Sequence, residues 1–201
     1  ISAMAADAVA LLDHLGIAKA NVVGWSMGGF IAQELAIEHP TRVSKLVLVA
    51  TSATLDGQVR ARIAGNMNIR RSNLSREQQA RIDAPWLFSA ALLDDADRYE
   101  RSIQNGLSNP YAQQDHAYIR QCQATLNWEG TVDRAAKIAC PTLVVAARED
   151  IAIPARLTDQ LAKLIPGATQ LQLPGAHASC IEFPREYNAA FVDFLAVPVP
   201  A

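Results

Sequence analysis

Short runs of consecutive apolar residues alternate along the chain with longer stretches in which apolar residues recur every three or four positions. The runs at residues 46–50 and Thr142–Ala147 are typical of parallel strands that are buried on both faces of a sheet. The longer stretches, such as residues 5–15, have the spacing of helices that bury one side. This alternation predicts an α/β fold with a doubly wound, mostly parallel sheet.

The other predicted elements follow from local start and stop signals. Gly16 closes the first helix, a short strand covers residues 21–24, and the next helix stops before Pro40. Residues 197–201 carry two prolines and no periodic pattern, so we expect an irregular tail. The remaining elements are the helix Met27–Glu38, the strand Thr169–Leu173, and helices over residues 154–164 and 184–195.

A long insertion divides the predicted sheet. About ninety residues separate the strand at residues 46–50 from the strand Thr142–Ala147, although a crossover between parallel strands needs only about a dozen. Within it, residues 56–127 have helical spacing with breaks at Pro85 and at Asn109-Pro110, which predicts several short helices. Such an insertion should lie over the carboxyl ends of the strands, where open α/β sheets bind ligands. We therefore predict a sheet core of residues 1–54 and 135–201 and a helical cap of residues 55–134.

Composition excludes several classes of protein. Hydrophobic residues make up 50% of the chain and charged residues 19%, which is enough apolar material for a folded core. The formal net charge is −2 and the basic residues are scattered, so we expect neither nucleic acid nor a membrane as a partner. No apolar run approaches the ~20 residues that span a bilayer, and no secretory signal pattern opens the chain. We therefore expect a cytoplasmic protein.

Neither the cysteines nor the histidines predict a bound metal. The three cysteines are odd in number and widely spaced, which is typical of free thiols and not of a disulfide framework. The four histidines show no metal-binding spacing, and no carboxylate cluster has the pattern of a calcium loop. We expect no metal and no cofactor.

The first candidate for chemistry is Ser26, in the motif Gly24-Trp25-Ser26-Met27-Gly28. A strand that ends in G-x-S-x-G turns sharply into a helix, and the serine at the apex exposes its hydroxyl above the sheet. Glycines at Gly24 and Gly28 leave room for that turn. The N–H groups at the start of the following helix would stabilise negative charge that develops beside the serine. The motif therefore predicts a nucleophile elbow, with the Met27 N–H in an oxyanion hole.

Two residues that follow later strands could complete the chemistry. A serine hydroxyl needs a base to take its proton, and the base needs a third group to orient it. Asp150 follows the strand Thr142–Ala147 and His177 follows the strand Thr169–Leu173, so both should reach the edge of the sheet where Ser26 lies. We predict a triad of Ser26, His177 and Asp150.

Other assignments stay open for the acid and for the histidines. Asp150 could instead cap a helix, and Glu149 beside it is a rival acid. Asp56 is a second rival, although a solvated turn before Gly57 explains it better. Of the other histidines, His116 could contact a substrate from the inserted helices, while His14 and His39 belong to helices or their ends.

Three segments together resemble the α/β-hydrolase superfamily: residues 24–29 around Ser26, residues 140–150 leading to Asp150, and residues 175–184 around His177. The resemblance covers nearly the whole chain outside the inserted helices. It is strongest to the group of 3-oxoadipate enol-lactonases, small carboxylesterases and cofactor-free haloperoxidases, which share a serine nucleophile and a helical cap. Related haloalkane dehalogenases and epoxide hydrolases carry an aspartate at the position of Ser26. Ala147 and Ala176 stand where the family usually has glycine, and both departures are mild.

The resemblance implies a serine hydrolase that cleaves a carboxylic ester or lactone of a small, largely apolar compound through an acyl-enzyme. We expect Trp25 and the inserted residues Trp86, Leu87, Phe88 and Trp128 to line the substrate pocket. Two other classes stay open, a small-molecule receptor and an inactive fragment of the same fold. Multiple turnovers of an ester that disappear in Ser26→Ala would distinguish an enzyme from the receptor, and an HG-containing segment ahead of Ile1 would dispose of the inactive fragment.

The chain begins at Ile1, inside the helix that precedes Ser26, whereas the superfamily has further strands before that helix. We therefore expect these 201 residues to be part of a longer polypeptide. The earlier strands would flank the strand at residues 21–24, and the loop after one of them usually supplies a second oxyanion N–H. Without them, a complementing N-terminal segment or a homodimer would be needed to cover an apolar sheet edge.

Overall fold

The computed structural model describes residues 1–198, which form a parallel sheet with helices on both faces. The strands of this part of the chain are β1 (Ala20–Trp25), β2 (Val43–Val49), β3 (Thr142–Ala147) and β4 (Thr169–Leu173). They lie in the order β1-β2-β3-β4, and each pairs in parallel with its neighbour. The predicted α/β class with a mostly parallel sheet is confirmed.

The helices fall into two groups, those that cover the sheet and those inserted between β2 and β3. The helices are α1 (Ser2–His14), α2 (Met27–Glu38), α3 (Gly57–Arg71), α4 (Arg76–Leu87), α5 (Ala90–Leu93), α6 (Ala96–Leu107), α7 (Asp115–Leu126), α8 (Ala155–Leu164), α9 (Ser179–Glu182) and α10 (Pro184–Ala196). We call α3 to α7 the cap helices. The connection from β2 to β3 therefore consists of several short helices, as the length and spacing of the insertion predicted.

Alternate residues of the central strands bury opposite faces of the sheet, as the pleat requires. Leu46, Leu48 and Val144 face a cluster that includes Leu35 of α2 and Leu161 of α8. The residues between them form a second cluster with α10. Its members include Val47, Val49, Leu143, Val145 and Tyr187, and Phe191 and Phe194 are among the residues packed against them. The sheet is therefore covered on both faces, which explains why residues 46–49 of β2 and residues 143–147 of β3 are unbroken apolar runs.

β2 begins earlier than the apolar run that predicted it, because Lys45 interrupts the pattern. Lys45 is only 3% exposed, and its Nζ donates to the carbonyl oxygens of Phe194 (2.7 Å) and Leu195 (3.0 Å) near the end of α10. An ammonium group there satisfies carbonyls that have no partner inside the helix and complements the helix dipole. A buried lysine is thus accommodated in a central strand.

Pro85 does not break a helix, contrary to the sequence prediction, because it lies inside α4. Its missing N–H costs one backbone hydrogen bond, but α4 ends two residues later, at Leu87. The following Phe88 N–H still donates to the Ala84 carbonyl at 3.0 Å. The predicted break at Asn109-Pro110 does separate α6 from α7.

The two ends of the described chain differ in their surroundings. β1 lies at an edge of the sheet, where Val23 and Trp25 are 49% and 41% exposed. After α10, Val197 and Pro198 belong to neither a helix nor a strand, and the rest of the predicted irregular tail lies outside the described residues. Within residues 1–198, no helix has both the length and the apolar character that crossing a bilayer requires.

Candidate active site

Ser26 occupies the single residue between β1 and α2, where the chain reverses direction. Its backbone has φ 54° and ψ −121°, a conformation that a residue other than glycine adopts only under strain. The Ser26 N–H donates to the Val49 carbonyl, and the Ser26 carbonyl accepts from the Thr51 hydroxyl, both at 2.9 Å. These bonds to β2 and the loop after it hold the strained residue in place.

The glycines around Ser26 do not share the same role. A Cβ at Gly24 would lie 2.5 Å from the Gly28 carbonyl oxygen, and one at Gly29 would lie 2.5 Å from the Thr51 side chain. A Cβ at Gly28 would meet nothing within 4 Å. The expectation that Gly24 and Gly28 both leave room for the turn is therefore wrong for Gly28. Gly29, which follows it in α2, is the second glycine that the packing requires.

Three side chains from three strand ends form a continuous chain of hydrogen bonds. Ser26 Oγ lies 2.8 Å from His177 Nε2, and His177 Nδ1 lies 2.8 Å from Asp150 Oδ2. The His177 and Asp150 side chains are almost entirely buried, with 4% and 0% of their areas exposed. The structure thus brings together the three residues that the sequence singled out, in a geometry that allows a proton to pass from the serine to the histidine.

The second carboxylate oxygen of Asp150 is also occupied. Its Oδ1 accepts hydrogen bonds from the backbone N–H groups of Ala152 and Ile153, each at 2.8 Å. Asp150 therefore does not cap a helix, since the N-cap of α8 is Pro154; its carboxylate holds the turn that follows it in addition to the contact to His177. Two fixed donors on one oxygen leave the other aimed at the imidazole, which fixes the orientation of the ring.

The rival residues lie elsewhere. Glu149 is exposed, and Asp56 is the N-cap of α3, where it accepts from the Val59 N–H at 2.9 Å. The Val59 hydrogen bond and the Arg156 side chain lower the pKa of Asp56.

His116 is exposed on α7 and does not line the cavity at Ser26, while His14 and His39 lie at the ends of α1 and α2. Within residues 1–198, no group of three or more histidine, cysteine, aspartate or glutamate residues could hold a metal ion.

A cavity of about 290 Å³ opens at Ser26 and His177. One part of its wall comes from the elbow and the loops of the sheet, and the other from cap helices α3, α4 and α7. Its core residues are Trp25, Ser26, Met27, Phe30, Ile153 and His177, and its cap residues are Arg62, Ile63, Asn66, Arg70, Asp83, Leu87, Tyr118, Gln121, Cys122 and Thr125. The nucleophile candidate is therefore covered by the cap helices.

The structure places only two of the five apolar pocket candidates in this cavity, Trp25 and Leu87. Trp86 lies beside a separate surface depression, and Phe88 lines another depression between cap helices. Trp128 is 6% exposed, stacks on Phe30 at 4.4 Å between ring centroids, and donates from Nε1 to Glu34 Oε1 at 2.7 Å. The assignment of Trp86, Phe88 and Trp128 to the substrate pocket is therefore corrected.

Sequence reasoning missed the polar part of the wall. Arg62, Asn66 and Arg70 follow one another at four-residue intervals along α3, so they share one face of that helix. Tyr118, Gln121, Cys122 and Thr125 repeat at three and four residues along α7. These periodic stripes were visible in the sequence, but a polar stripe is also typical of a solvated helix face.

The Met27 backbone N–H lies at the first position of α2, where a helix N–H has no partner inside its own helix. Met27 also lines the cavity beside Ser26. An N–H at this place can donate to an oxygen that a substrate presents next to the Ser26 hydroxyl. This is the position that the sequence assigned to an oxyanion hole.

Comparisons with known proteins agree on one fold. The family model of the alpha/beta hydrolase fold matches residues 1–184. The chain is 31% identical over 209 residues to the "Putative carbamate hydrolase RutD" of Klebsiella pneumoniae (strain 342), covering 100% of this chain and 74% of that protein.

Two solved structures extend the comparison. One is the "Putative non-heme bromoperoxidase BpoC" of Mycobacterium tuberculosis H37Rv, with a TM-score of 0.87 and 31% identity over 96% of this chain and 72% of that one. The other is the enol-lactonase of Burkholderia xenovorans LB400, with a TM-score of 0.85 and 26% identity over 96% and 72% of the two chains.

Proposed function

The chain belongs to the alpha/beta hydrolase fold family, and within that family we propose that it is a serine hydrolase that cleaves a carboxylic ester or lactone of a small molecule. The observation that carries this proposal is the pair of 2.8 Å contacts that link Ser26 Oγ to His177 and His177 to Asp150. This relay ends at a cavity large enough for a small compound. The names of the hydrolase relatives support the same reaction class.

In the first half of the proposed reaction, Ser26 Oγ attacks the carbonyl carbon of the bound ester. His177 Nε2 accepts the hydroxyl proton as the C–O bond to the enzyme forms, and the carbonyl oxygen takes the negative charge. The proton then passes from Nε2 to the leaving alkoxide, which departs as an alcohol. The product is an acyl-enzyme at Ser26.

In the second half, a water molecule repeats the same steps. It gives its proton to His177 Nε2, attacks the acyl carbon, and the Ser26 oxygen leaves with the proton that the imidazole returns. The free acid is released, and the enzyme regains its starting state. A lactone follows the same route, except that the alcohol stays attached to the acid.

Two groups lower the energy of the charged steps. Asp150 Oδ2 accepts a hydrogen bond from the His177 Nδ1–H, which keeps Nε2 free to act as the base and stabilises the imidazolium that forms. The Met27 N–H, at the positive end of α2, donates to the oxygen that becomes negative. Asp150 thus compensates the positive charge that forms on His177, and the Met27 N–H compensates the negative charge that forms on the carbonyl oxygen.

A fluorophosphonate probe tests the nucleophile directly, because it forms a covalent bond only with an activated serine. We expect the purified protein to be labelled at Ser26, and Ser26→Ala to abolish both labelling and the hydrolysis of 4-nitrophenyl esters. Ser108→Ala, at the end of cap helix α6, is the matched control and should be labelled like the parent. A folded parent protein that is neither labelled nor able to hydrolyse esters would contradict the proposal and favour the receptor or the inactive fragment.

A further inference from the structure

Among the residues that the structure describes, one guanidinium group in the wall of the cavity has no hydrogen-bond or ion-pair partner. Arg62 lies on α3 and lines the cavity together with Ser26 and His177. Its Nε is buried and makes no hydrogen bond within the part of the chain that the structure describes. Among residues 1–198, no carboxylate oxygen lies within 4.0 Å of this side chain either.

The other charges of the cavity wall are matched. Arg70, two turns further along α3, contacts Asp83 at 3.3 Å and Asp115 at 3.7 Å, and it donates to Gln79 at 2.8 Å. Asp83 is the acidic residue of the lining set, and Arg70 is its ion-pair partner. Among the residues that line the cavity, Arg62 and Arg70 are positively charged and Asp83 is negatively charged, so the lining itself carries one positive charge more than Asp83 offsets; Asp115 lies outside this lining.

An uncompensated cation in a buried position is costly, so it needs an anion or water to offset the loss of hydration. Burial lowers the pKa of the Arg62 guanidinium. An arginine side chain nevertheless stays protonated near neutral pH. Its planar group offers several N–H donors in the geometry that a carboxylate accepts. The charge of Arg62 thus suits an anionic ligand in the cavity.

A second donor lies in the same wall. Asn66, one turn after Arg62, donates from Nδ2 to the Tyr118 hydroxyl oxygen at 3.1 Å. The Tyr118 hydroxyl accepts this bond and still has one hydrogen to donate, for which the neighbouring Cys122 thiol is only a weak acceptor. Tyr118 also lines the cavity. A ligand that accepts hydrogen bonds there would find a neutral donor as well as a charged one.

We propose that the substrate of this site carries a carboxylate in addition to the ester or lactone bond, and that Arg62 binds this carboxylate, with the Tyr118 hydroxyl as a second donor. The inference rests on the proposed hydrolase function of Ser26. It replaces the largely apolar substrate expected from the sequence, since such a compound would bury Arg62 without a counter-charge. Arg62 is then the residue that selects acidic esters over neutral ones.

Matched pairs of esters test the proposal. The mono-4-nitrophenyl esters of succinic, glutaric and adipic acids are compared with their methyl-capped diesters, which carry no charge. A second series compares 4-acetoxybenzoate with its methyl ester, so that the carboxylate lies on the alcohol side. We expect a higher kcat/KM for the acid in at least one series, and a loss of about 10- to 100-fold in that preference in Arg62→Gln, because hydrogen bonds to charged groups contribute on that scale.

Two further variants separate charge from structure. Arg62→Lys keeps the positive charge and should retain part of the preference, whereas Arg71→Gln removes a charge from an exposed position of the same helix and should retain all of it. Equal kcat/KM values for acids and neutral esters in both series, or a preference that Arg62→Gln leaves intact, would overturn the proposal.

Failure of the anion site and failure of the hydrolase function give different results. If Ser26 is labelled by the fluorophosphonate and neutral esters are hydrolysed without any preference for acids, only the carboxylate site is wrong. If no ester is turned over at all, the carboxylate site is tested by the binding of dicarboxylic acids instead. A rise in melting temperature with glutarate or adipate that Arg62→Gln abolishes supports the anion site, and no shift with either acid overturns it.

Discussion

The indole Nε1 of Trp25 donates a 2.9 Å hydrogen bond to the backbone carbonyl of His177, and the two rings lie 5.4 Å apart between centroids. The residue that precedes the nucleophile candidate is therefore tied to the residue that serves as its base. β1 and the loop after β4 lie at opposite ends of the strand order, so this contact spans the sheet. It fixes the elbow relative to the histidine loop, and thereby the 2.8 Å separation of Ser26 Oγ and His177 Nε2.

Trp25→Phe should lower kcat by up to about 10-fold, because it keeps an aromatic ring but removes a hydrogen bond worth about 1 kcal/mol. Steady-state hydrolysis of a 4-nitrophenyl ester measures the effect. Trp86→Phe is the control, since Trp86 lies outside the cavity, and it should leave kcat unchanged. A lower kcat in Trp86→Phe, with an unchanged kcat in Trp25→Phe, would mean that Trp86 belongs to the site and that Trp25 does not position the histidine loop.

Asp150→Asn should reduce kcat by about 10³- to 10⁴-fold, because an amide N–H facing His177 Nδ1 forces the imidazole proton onto Nε2 and blocks the base. The fold should survive, since the amide oxygen can still accept from Ala152 and Ile153. Glu149→Gln removes the neighbouring exposed carboxylate and should keep full activity. A large loss in Glu149→Gln with an active Asp150→Asn would mean that the acid is misassigned.

Ser26, Asp150 and His177 could be predicted because each lies within four residues after the end of a strand, and the carboxyl ends of parallel strands meet at one edge of the sheet. This placement depends only on local patterns and on topology. Two strands, Thr142–Ala147 and Thr169–Leu173, were predicted with the bounds that the structure has. β2 was predicted too short, because the partners that make a buried Lys45 acceptable come from α10, far along the chain.

The cap side of the cavity could not be predicted in the same way. Trp86 and Leu87 are neighbours on α4, and successive residues of a helix point about 100° apart. Only the packing of α4 against the other cap helices decides that Leu87 lines the cavity and Trp86 does not. Likewise, the spacing of Arg62, Asn66 and Arg70 shows that they share a face, but the cavity becomes visible only when α3 is placed over Ser26.

Gly28 and Gly29 are adjacent in α2, and their replacement by alanine should have opposite effects on stability. A Cβ at Gly29 would lie 2.5 Å from Thr51, which holds the Ser26 carbonyl, so Gly29→Ala should destabilise the protein by about 1–3 kcal/mol. Gly28→Ala meets no neighbour and should be neutral or gain up to about 1 kcal/mol from helix propensity. Urea unfolding of both variants measures the difference, and equal destabilisation would show that space near Thr51 is not the cause.

Glu182 connects the cap helices to the histidine loop. Its carboxylate accepts from the Ser89 N–H and hydroxyl at the start of α5 and from the Ala176 N–H beside His177. Glu182→Ala leaves these donors without a charged acceptor and should cost about 1–3 kcal/mol of stability. Hydrogen exchange at Ser89 and at Ala176 should become faster together, since one side chain holds both amides.

The matched control for this change is Glu186→Ala, which removes an exposed carboxylate from the first turn of α10. It should leave exchange at Ser89 and Ala176 as in the parent protein. If Glu182→Ala accelerates exchange at only one of the two sites, the carboxylate does not couple the cap to the loop. The backbone contact from the Ala178 N–H to the Leu87 carbonyl, at 2.7 Å, would then be the remaining connection.

Tyr187 should make the stability of the protein fall at alkaline pH. The side chain is fully buried beneath the sheet, donates to the Pro174 carbonyl at 3.2 Å, and has its pKa raised by burial to about 12. In the unfolded chain, a tyrosine ionises with a pKa of about 10. Between about pH 10 and pH 12 the unfolded state therefore loses a proton that the native state keeps. Stability falls through this window by up to about 2–3 kcal/mol.

Tyr187→Phe removes both the hydrogen bond and this titration, so the order of stability should reverse with pH. Near pH 8 the variant should be less stable than the parent by about 1 kcal/mol, because the Pro174 contact is lost. Near pH 12 it should be the more stable of the two by roughly 1–2 kcal/mol, since the parent alone has lost the contribution of the buried phenol. Urea unfolding at a series of pH values measures the crossing. Tyr111→Phe, at a residue 90% exposed, should follow the parent throughout, and a stability difference for Tyr187→Phe that stays constant with pH would show that the buried phenol does not titrate in this way.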